Sequence, residues 1–260
     1  MKIWREGKMK IGIKDEHDLK LMRESGRILG LILFELEKLI VPGMTGLELD
    51  TMAEKMMEEH GVLPSFKGYR GFPKVTCINI NEQVVHGIPT TREFKDGDIV
   101  TVDCGVIHEG FHTDSAITKG VGKITPEIAK FITTAEKALK KGIEAAKPGV
   151  RVRNISAAVQ DVIEKNGYSV IRDLIGHGIG HRLHEDPEVP NAIFTNEPGP
   201  ILQPGMTIAI EPIFSMGDWK VKILKDGWTY VTVDGSLSIQ VEHTIAITEK
   251  GSEILTKRPD

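Results

Sequence analysis

The sequence predicts a single α/β domain made of two similar halves. The first supporting observation is a weak repeat at an offset of 106 residues, in which Pro42-Gly43 recurs as Pro148-Gly149 and the pattern over 57–61 recurs over 163–167. The second is that a long helical pattern precedes each Pro-Gly pair, while a shorter helical pattern and then strand-like runs follow it. The third is that no linker or low-complexity segment divides the chain, so its 260 residues, 40% of them hydrophobic, can share one domain.

The helices are predicted from their capping residues. Asp15 can cap a helix over 15–40, and Thr45-Gly46-Leu47-Glu48 is a capping box for a second helix that Gly61 closes. In the second half, Thr125-Pro126-Glu127 supplies a cap, a proline in the first turn and an acidic residue for a helix over 126–147.

Strand-like runs follow the helices of each half. In the first half, runs over 99–106 and 111–118 flank a turn at His108-Glu109-Gly110. The second half contains three further runs with Asp-Gly turn signals between them: 220–224, 228–233 and 237–248, separated by Asp226-Gly227 and Asp234-Gly235.

Charge and composition exclude several classes of protein. With 33 basic against 37 acidic residues, the chain lacks the basic surface typical of nucleic-acid binding. The longest apolar run, 28–34, is far shorter than the ~20 residues of a membrane span, and the first residues contain no apolar segment of a signal peptide. Two cysteines are too few for a secreted disulfide framework, so we expect a reducing, cytoplasmic location.

The first chemical signal is a pair of aspartates within the predicted hairpin. A two-residue turn at His108-Glu109 would pair Asp103 directly with Asp114, a turn at Glu109-Gly110 would make them diagonal neighbours on one face, and a three-residue loop would put them on opposite faces. In the first two cases the carboxylates lie within ~4.5–8 Å and repel each other unless a cation lies between them. The alternative is two aspartates on a solvent-exposed sheet face.

Further candidate ligands lie in the second half. Three histidines fall within the glycine-rich stretch 176–185, where the glycines favour a loop or bulged strand over a helix. Glu211 and Glu242 each lie in or beside a strand, although either could simply face solvent. Taken with the aspartates and His177, they form a set of four carboxylates and one imidazole. That set suits Mn(II), Fe(II), Co(II) or Zn(II), and two metals ~3.5–4 Å apart suit it better than one.

At these residues the sequence resembles the type I methionine aminopeptidases of the pita-bread metallopeptidase family. The resemblance covers roughly 15–250 and rests on six stretches: 81–89, 102–103, 110–114, 176–185, 209–212 and 240–244. It implies a pita-bread fold, in which two pseudo-two-fold halves pack helices on a curved, mainly antiparallel sheet. We expect 1–14 to be an N-terminal extension and 15–260 to be one catalytic domain.

The resemblance also implies an activity: removal of the initiator methionine from nascent proteins with a small second residue, by water activated between two divalent metals. Asp114 and Glu242 would bridge the metals, Asp103 would chelate one of them, and His177 and Glu211 would complete the other. Glu211 would also shuttle a proton to the leaving amine. Two histidines would contact the substrate: His184 at the developing oxyanion and His86 at the scissile amide nitrogen.

By the same resemblance, the methionine pocket would be lined by Tyr69, Phe72, Cys77 and Trp228. Phe66 and Leu183 occupy neighbouring positions at which the family has Cys and Phe, respectively. The larger side chain therefore lies on the other side of the pocket than in the family. We expect Phe66 to belong to the ordinary core. We also expect Cys104 to point away from the metals, and two histidines, His112 and His243, to orient the ligands.

Three other functions are less well supported by the sequence. Prolidases and aminopeptidases P share the five ligands but have a large extra N-terminal domain, and type II methionine aminopeptidases have a long insertion where only 31 positions separate Glu211 from Glu242 here. An inactive relative that acts as a binding module should have lost ligands.

We expect N-terminal methionyl peptides and nascent proteins as substrates. We also expect a monomer that binds neither nucleic acid nor membrane, with any ribosome contact on the domain's own surface.

Overall fold

The computed structural model of the chain describes residues 11–193, residue 196 and residues 198–259. Within this part, α1 (Glu16–Leu39) and α2 (Gly46–Glu59) begin at capping boxes formed by Asp15 and Thr45. In the second half α3 (Pro126–Ala145) and α4 (Val152–Lys165) form the corresponding pair, and Thr125 caps α3. The predicted caps are thus confirmed, because each satisfies backbone N–H groups that the first helical turn leaves unpaired.

The first half contains a four-stranded antiparallel sheet. Its strands are β1 (Leu63–Pro64), β2 (Thr76–Ile80), β3 (Ile99–His108) and β4 (Phe111–Gly120). The central strand β3 pairs with β4 along its whole length, while β2 and β1 pair with successive parts of β3. Hydrophobic residues of α1, α2 and this sheet form one buried cluster that includes Cys104, as predicted.

The hairpin turn decides between the alternatives left open by the sequence. His108 pairs with Phe111, so the turn residues are Glu109 and Gly110, with φ of 49° and 81°. Both residues are left-handed, as in the two-residue turns that suit twisted hairpins. Asp114 therefore lies opposite Gly105 and diagonal to Asp103, on the same face of the sheet.

The second half is divided among several antiparallel sheets. Its strands are β5 (Ser169–Val170), β6 (Gly176–Gly178), β7 (Glu185–Val189), β8 (Thr207–Ile210), β9 (Ile213–Ser215), β10 (Val221–Ile223), β11 (Tyr230–Thr232), β12 (Ser238–Gln240), β13 (His243–Thr248) and β14 (Gly251–Ile254). They form a sheet of order β14-β13-β8-β6-β7, a sheet of order β12-β9-β5 and a β10-β11 ribbon. The prediction of a loop or bulged strand over a helix at 176–185 is confirmed, since β6 shows a register shift between Gly176 and Gly178 and an irregular turn follows it before β7.

One strand prediction is wrong in a way that matters for the site. The run 237–248 is not one strand but is interrupted at Val241 and Glu242, between β12 and β13. A matching interruption at Glu211 and Pro212 separates β8 from β9. Since β12 pairs with β9 while β13 pairs with β8, the chain changes sheets at both breaks. Both glutamates therefore lie in the breaks instead of alternating along a continuous strand.

The internal repeat is confirmed by the structure. Helices α2 and α4 each have 14 residues, and their first residues are separated by the predicted offset. Gly43 and Gly149, at the start of the repeated segments, both have left-handed backbones, with φ of 87° and 82°.

The halves meet where β4 contacts β13: the Thr244 hydroxyl donates to the Asp114 carbonyl oxygen (2.7 Å) and accepts from the Asp114 N–H (3.0 Å). None of the described helices combines the length and apolar character needed to cross a membrane.

Candidate active site

The structure brings the five predicted ligands to one cleft between the halves. Asp103 and Asp114 come from β3 and β4 of the first half, His177 comes from β6, and Glu211 and Glu242 come from the two strand breaks. All four carboxylates are buried. One ligand atom each from Asp114, His177 and Glu242 can be chosen so that all lie within 4.8 Å of one another.

Several oxygens of this cluster have no hydrogen-bond partner among the described residues. They are Oδ1 of Asp103, Oδ1 of Asp114 and Oε1 of Glu242, all buried. The Gln240 amide nitrogen lies 3.3 Å from both Asp103 Oδ2 and Glu242 Oε2, so in these two carboxylates it contacts the other oxygen and not the unpaired one. Buried carboxylate oxygens without donors are costly, and a divalent cation would satisfy them. The donor set therefore fits a metal centre.

The electrostatics of the carboxylates lead to the same conclusion. Burial raises the pKa of Asp103 to about 7. Burial, followed by repulsion from the neighbouring carboxylates, raises the pKa values of Asp114, Glu211 and Glu242 well above their ordinary range. No lysine or arginine is among the described residues that line the cleft. A bound cation would supply the missing positive charge and favour the ionised carboxylates.

His177 is oriented for metal binding by its own strand. Its Nδ1 lies 2.9 Å from the carbonyl oxygen of Gly178, and its Nε2 lies 3.8 Å from Glu211 Oε1. Because a carbonyl oxygen can only accept, the proton is on Nδ1 and the lone pair of Nε2 faces the carboxylates. Burial lowers the pKa of His177 to about 4, so the ring is neutral at physiological pH.

Two more histidines border the acidic cluster. The ring of His184 lies 4.3 Å from that of His177, and its Nδ1 lies 2.9 Å from the hydroxyl of Tyr69. His86 has a left-handed backbone (φ 57°), and burial lowers its pKa to about 4. Non-glycine residues in this conformation carry strain of roughly 1–3 kcal/mol and cluster at functional sites.

The remaining wall of the cleft is apolar. It contains the four predicted pocket residues, Tyr69, Phe72, Cys77 and Trp228, together with Leu183. The rings of Phe72 and Trp228 meet edge to face, with centroids 5.2 Å apart. Phe66 belongs to a buried apolar cluster of the core, as expected, and it also lines the same cleft. Its ring packs over Gly105 at the sheet surface and reaches the pocket from there.

Sequence reasoning missed one polar residue of the site and misplaced two others. Gln240 lies on the same side as Glu242 in the sequence alternation, and that signal could have identified it. His112 and His243 were expected to orient ligands, but their Nδ1 atoms bond to the hydroxyls of Ser65 (2.9 Å) and Thr256 (2.8 Å). Gln240 contacts two of the candidate carboxylate ligands through their side chains. Backbone groups of these residues are bonded by Thr244 at Asp114, Ser115 at Glu242 and Asn191 at Glu211.

Comparisons with known proteins give a consistent result. The model of metallopeptidase family M24 matches residues 20–249. The methionine aminopeptidase of Clostridium perfringens is 51% identical over 94% of this chain and 98% of its own length, and methionine aminopeptidase 1 of Bacillus subtilis is 48% identical over the same shares. The crystal structure of the Thermotoga maritima methionine aminopeptidase superimposes with a TM-score of 0.93 at 43% identity, covering 96% of this chain and 100% of that one. The prolidase of Pyrococcus furiosus shares the fold, with a TM-score of 0.78 at 23% identity, covering 95% of this chain and 66% of that one.

Proposed function

The chain belongs to metallopeptidase family M24, and from this membership we propose that its cleft releases the N-terminal methionine of peptides and nascent proteins, using divalent metal ions. The observation that carries the proposal is the position of the acidic cluster, whose unpaired oxygens lie in a cleft that is otherwise walled mainly by aromatic and aliphatic side chains and by Cys77. A thioether side chain suits such a wall, because sulfur makes favourable contacts with aromatic rings.

We assign the five acidic and imidazole residues to two metal ions. Asp114 and Glu242 would be shared between the ions, Asp103 would complete one site, and His177 and Glu211 would complete the other. Co, Mn, Fe(II) and Zn are all compatible with these oxygen and nitrogen donors. Metal ions bound there would supply Lewis acidity and lower the pKa of water, which makes a nucleophile available near neutral pH.

The chain's own residues would then manage protons and charge. The Glu211 carboxylate would take a proton from the attacking water and deliver it to the leaving amine nitrogen. Since the Tyr69 hydroxyl can donate to Nδ1 of His184, the Nε2–H of that ring is left to donate to the carbonyl oxygen as it gains negative charge. His86, neutral and held in the cleft, would contact the scissile amide nitrogen.

An assay on metal-reconstituted protein tests this function and its nearest rival together. Met-Ala-Ser should be hydrolysed to methionine and Ala-Ser, whereas Met-Lys-Ser, with a large second residue, should be a poor substrate. Xaa-Pro dipeptides are the matched probes for the prolidase activity of the structural neighbours. Hydrolysis of Xaa-Pro dipeptides without release of methionine from Met-Ala-Ser would reject the proposal.

We also infer where the protein acts and in what state. Cys77 and Cys104 are both unpaired and buried, which agrees with a reducing, cytoplasmic compartment. A monomer suffices for the proposed chemistry, because both halves of one chain supply every residue assigned to it. Size-exclusion chromatography with light scattering checks the monomer, and a stable dimer would contradict it.

A further inference from the structure

We propose that Lys14 and Glu185 are positioning residues that fix the turn carrying Leu183 and His184, an inference that rests on the proposed function. The Nζ of Lys14 lies 2.7 Å from Oε2 of Glu185, with side chains only 4% and 13% exposed. By contrast, the pair between Lys165 and Asp161 is 73% and 56% exposed. A buried ion pair is a poor source of stability, because desolvation of both charges offsets their attraction, so a geometric role is better supported.

The pair contacts the turn at two points. The other carboxylate oxygen of Glu185 accepts a hydrogen bond from the backbone N–H of Arg182, at 3.1 Å. The Lys14 side chain packs on Gly180, where an added Cβ would lie 2.3 Å from Lys14 Cε and 2.5 Å from Nζ. The N–H of Gly180 in turn donates to the Arg182 carbonyl oxygen, at 3.1 Å. Lys14 therefore occupies the space that a side chain at position 180 would need.

This turn holds the two cleft residues nearest to the pair in sequence. Leu183 is buried in the wall of the cleft, and His184 follows it directly. Glu185 is also the strand partner of Gly178, whose carbonyl oxygen orients the His177 ring. A shift of the turn would therefore move the apolar wall and the His184 donor together.

Lys14 is itself fixed on the opposite side. Its backbone N–H donates to the Gly205 carbonyl oxygen at 2.7 Å, and the next residue, Asp15, caps α1. At Gly205, which has a φ of 88°, an added Cβ would lie 2.6 Å from the Lys14 carbonyl oxygen. The ammonium is thus held between the start of α1 and the turn, which lets the segment before α1 contribute to the cleft without touching substrate.

The test uses a variant that removes both charges. Lys14→Met with Glu185→Gln leaves no buried unpaired charge, keeps the length of residue 185 and shortens residue 14 by one atom, so the fold and the metal content should be retained. We expect faster amide hydrogen exchange in peptides covering 179–185 and a loss of kcat/KM for Met-Ala-Ser of about tenfold or more, as for other residues that orient a site indirectly. We also expect the ratio of kcat/KM for Met-Ala-Ser to kcat/KM for Leu-Ala-Ser to decrease, which a purely structural role would not cause.

The matched control is Lys165→Met with Asp161→Asn, the same change at the exposed pair, which should leave all three readouts unchanged. If the double variant does not fold, Glu185→Asp, which keeps both charges but shortens the acidic side chain, gives the same readouts. Wild-type exchange in 179–185 together with wild-type kcat/KM would overturn the proposal. Failure of the unaltered protein to release methionine would instead reject the proposed function, while the exchange measurement would still test the positioning role.

Discussion

At the scale of single residues, the contact between the Tyr69 hydroxyl and Nδ1 of His184 would determine which nitrogen of the ring faces the proposed substrate. Its hydroxyl bonds to Nδ1, while its ring lies 5.3 Å from the imidazole and forms part of the apolar wall. The substitution Tyr69→Phe keeps the ring and removes only the bond. We expect kcat to fall about tenfold with KM little changed, because the His184 donor acts mainly in the transition state. Steady-state kinetics with Met-Ala-Ser checks this, with Tyr168→Phe, a tyrosine packed on Phe131, as the control.

A second prediction separates the two roles assigned to Glu211. Glu211→Gln keeps an oxygen donor but cannot accept a proton, so the variant should bind some metal and lose activity by a factor of roughly 10²–10⁴. Metal analysis and single-turnover rates on the same preparation measure both effects. The exposed strand residue Glu188 supplies the control, Glu188→Gln. Activity close to that of the unaltered protein would remove Glu211 from the proton-transfer role.

At the scale of secondary-structure elements, the contact between β4 and β13 sets the position of Asp114. Thr244 is fully buried and bonds both the N–H and the C=O of Asp114, so the isosteric change Thr244→Val leaves two buried backbone groups unpaired. We expect a loss of roughly 2 kcal/mol or more in the free energy of unfolding and weaker metal binding. Urea unfolding and metal titration measure these quantities, and Thr133→Val on the exposed side of α3 is the control. Unchanged metal affinity in a destabilised variant would show that this contact does not position the ligand.

The secondary-structure elements also differ in how well the sequence predicts them. Caps, a hairpin turn within 108–110 (though not its register) and the repeat were predictable because each depends on residues close in sequence or on a periodic pattern. The breaks at Glu211-Pro212 and at Val241-Glu242 were not, because they exist only where four strands exchange partners between two sheets. Hydrophobic alternation runs through 237–248 with a single exception at His243, so the pattern alone predicts one strand. The five candidate ligands stood out in the sequence because most are strongly polar residues in or beside apolar runs, and the structure places them in one cleft. The Lys14–Glu185 contact joins residues too distant in sequence to leave a local signal.

At the scale of the whole molecule, the acidic cluster couples metal binding, pH and stability. Burial raises the pKa of Asp103 to about 7 and those of its neighbours well above their ordinary values. These groups bind protons more tightly in the folded chain, so the metal-free protein should lose stability as the pH rises through their folded pKa values. The buried histidines His86 and His177, with pKa values lowered to about 4, are neutral in the folded and unfolded chain above about pH 7.5 and do not oppose this trend.

Thermal unfolding of metal-free and metal-loaded protein at about pH 7.5 to about pH 8.5 measures this coupling. The Tm of the metal-free protein should fall with pH, and the increase in Tm on adding metal should grow, because metals bind the deprotonated ligands. A metal-free Tm that is independent of pH would contradict this prediction, because it would mean that deprotonation of the buried carboxylates does not destabilise the folded chain.

The central claim is that one cleft between the two halves holds two metal ions on five side chains. Anomalous scattering from crystals of the manganese-loaded protein tests it most directly. We expect two peaks, both within coordination distance of Asp114 and Glu242, with Asp103 on one ion and His177 and Glu211 on the other. A single peak, or peaks away from these residues, in protein that releases methionine from Met-Ala-Ser would contradict it.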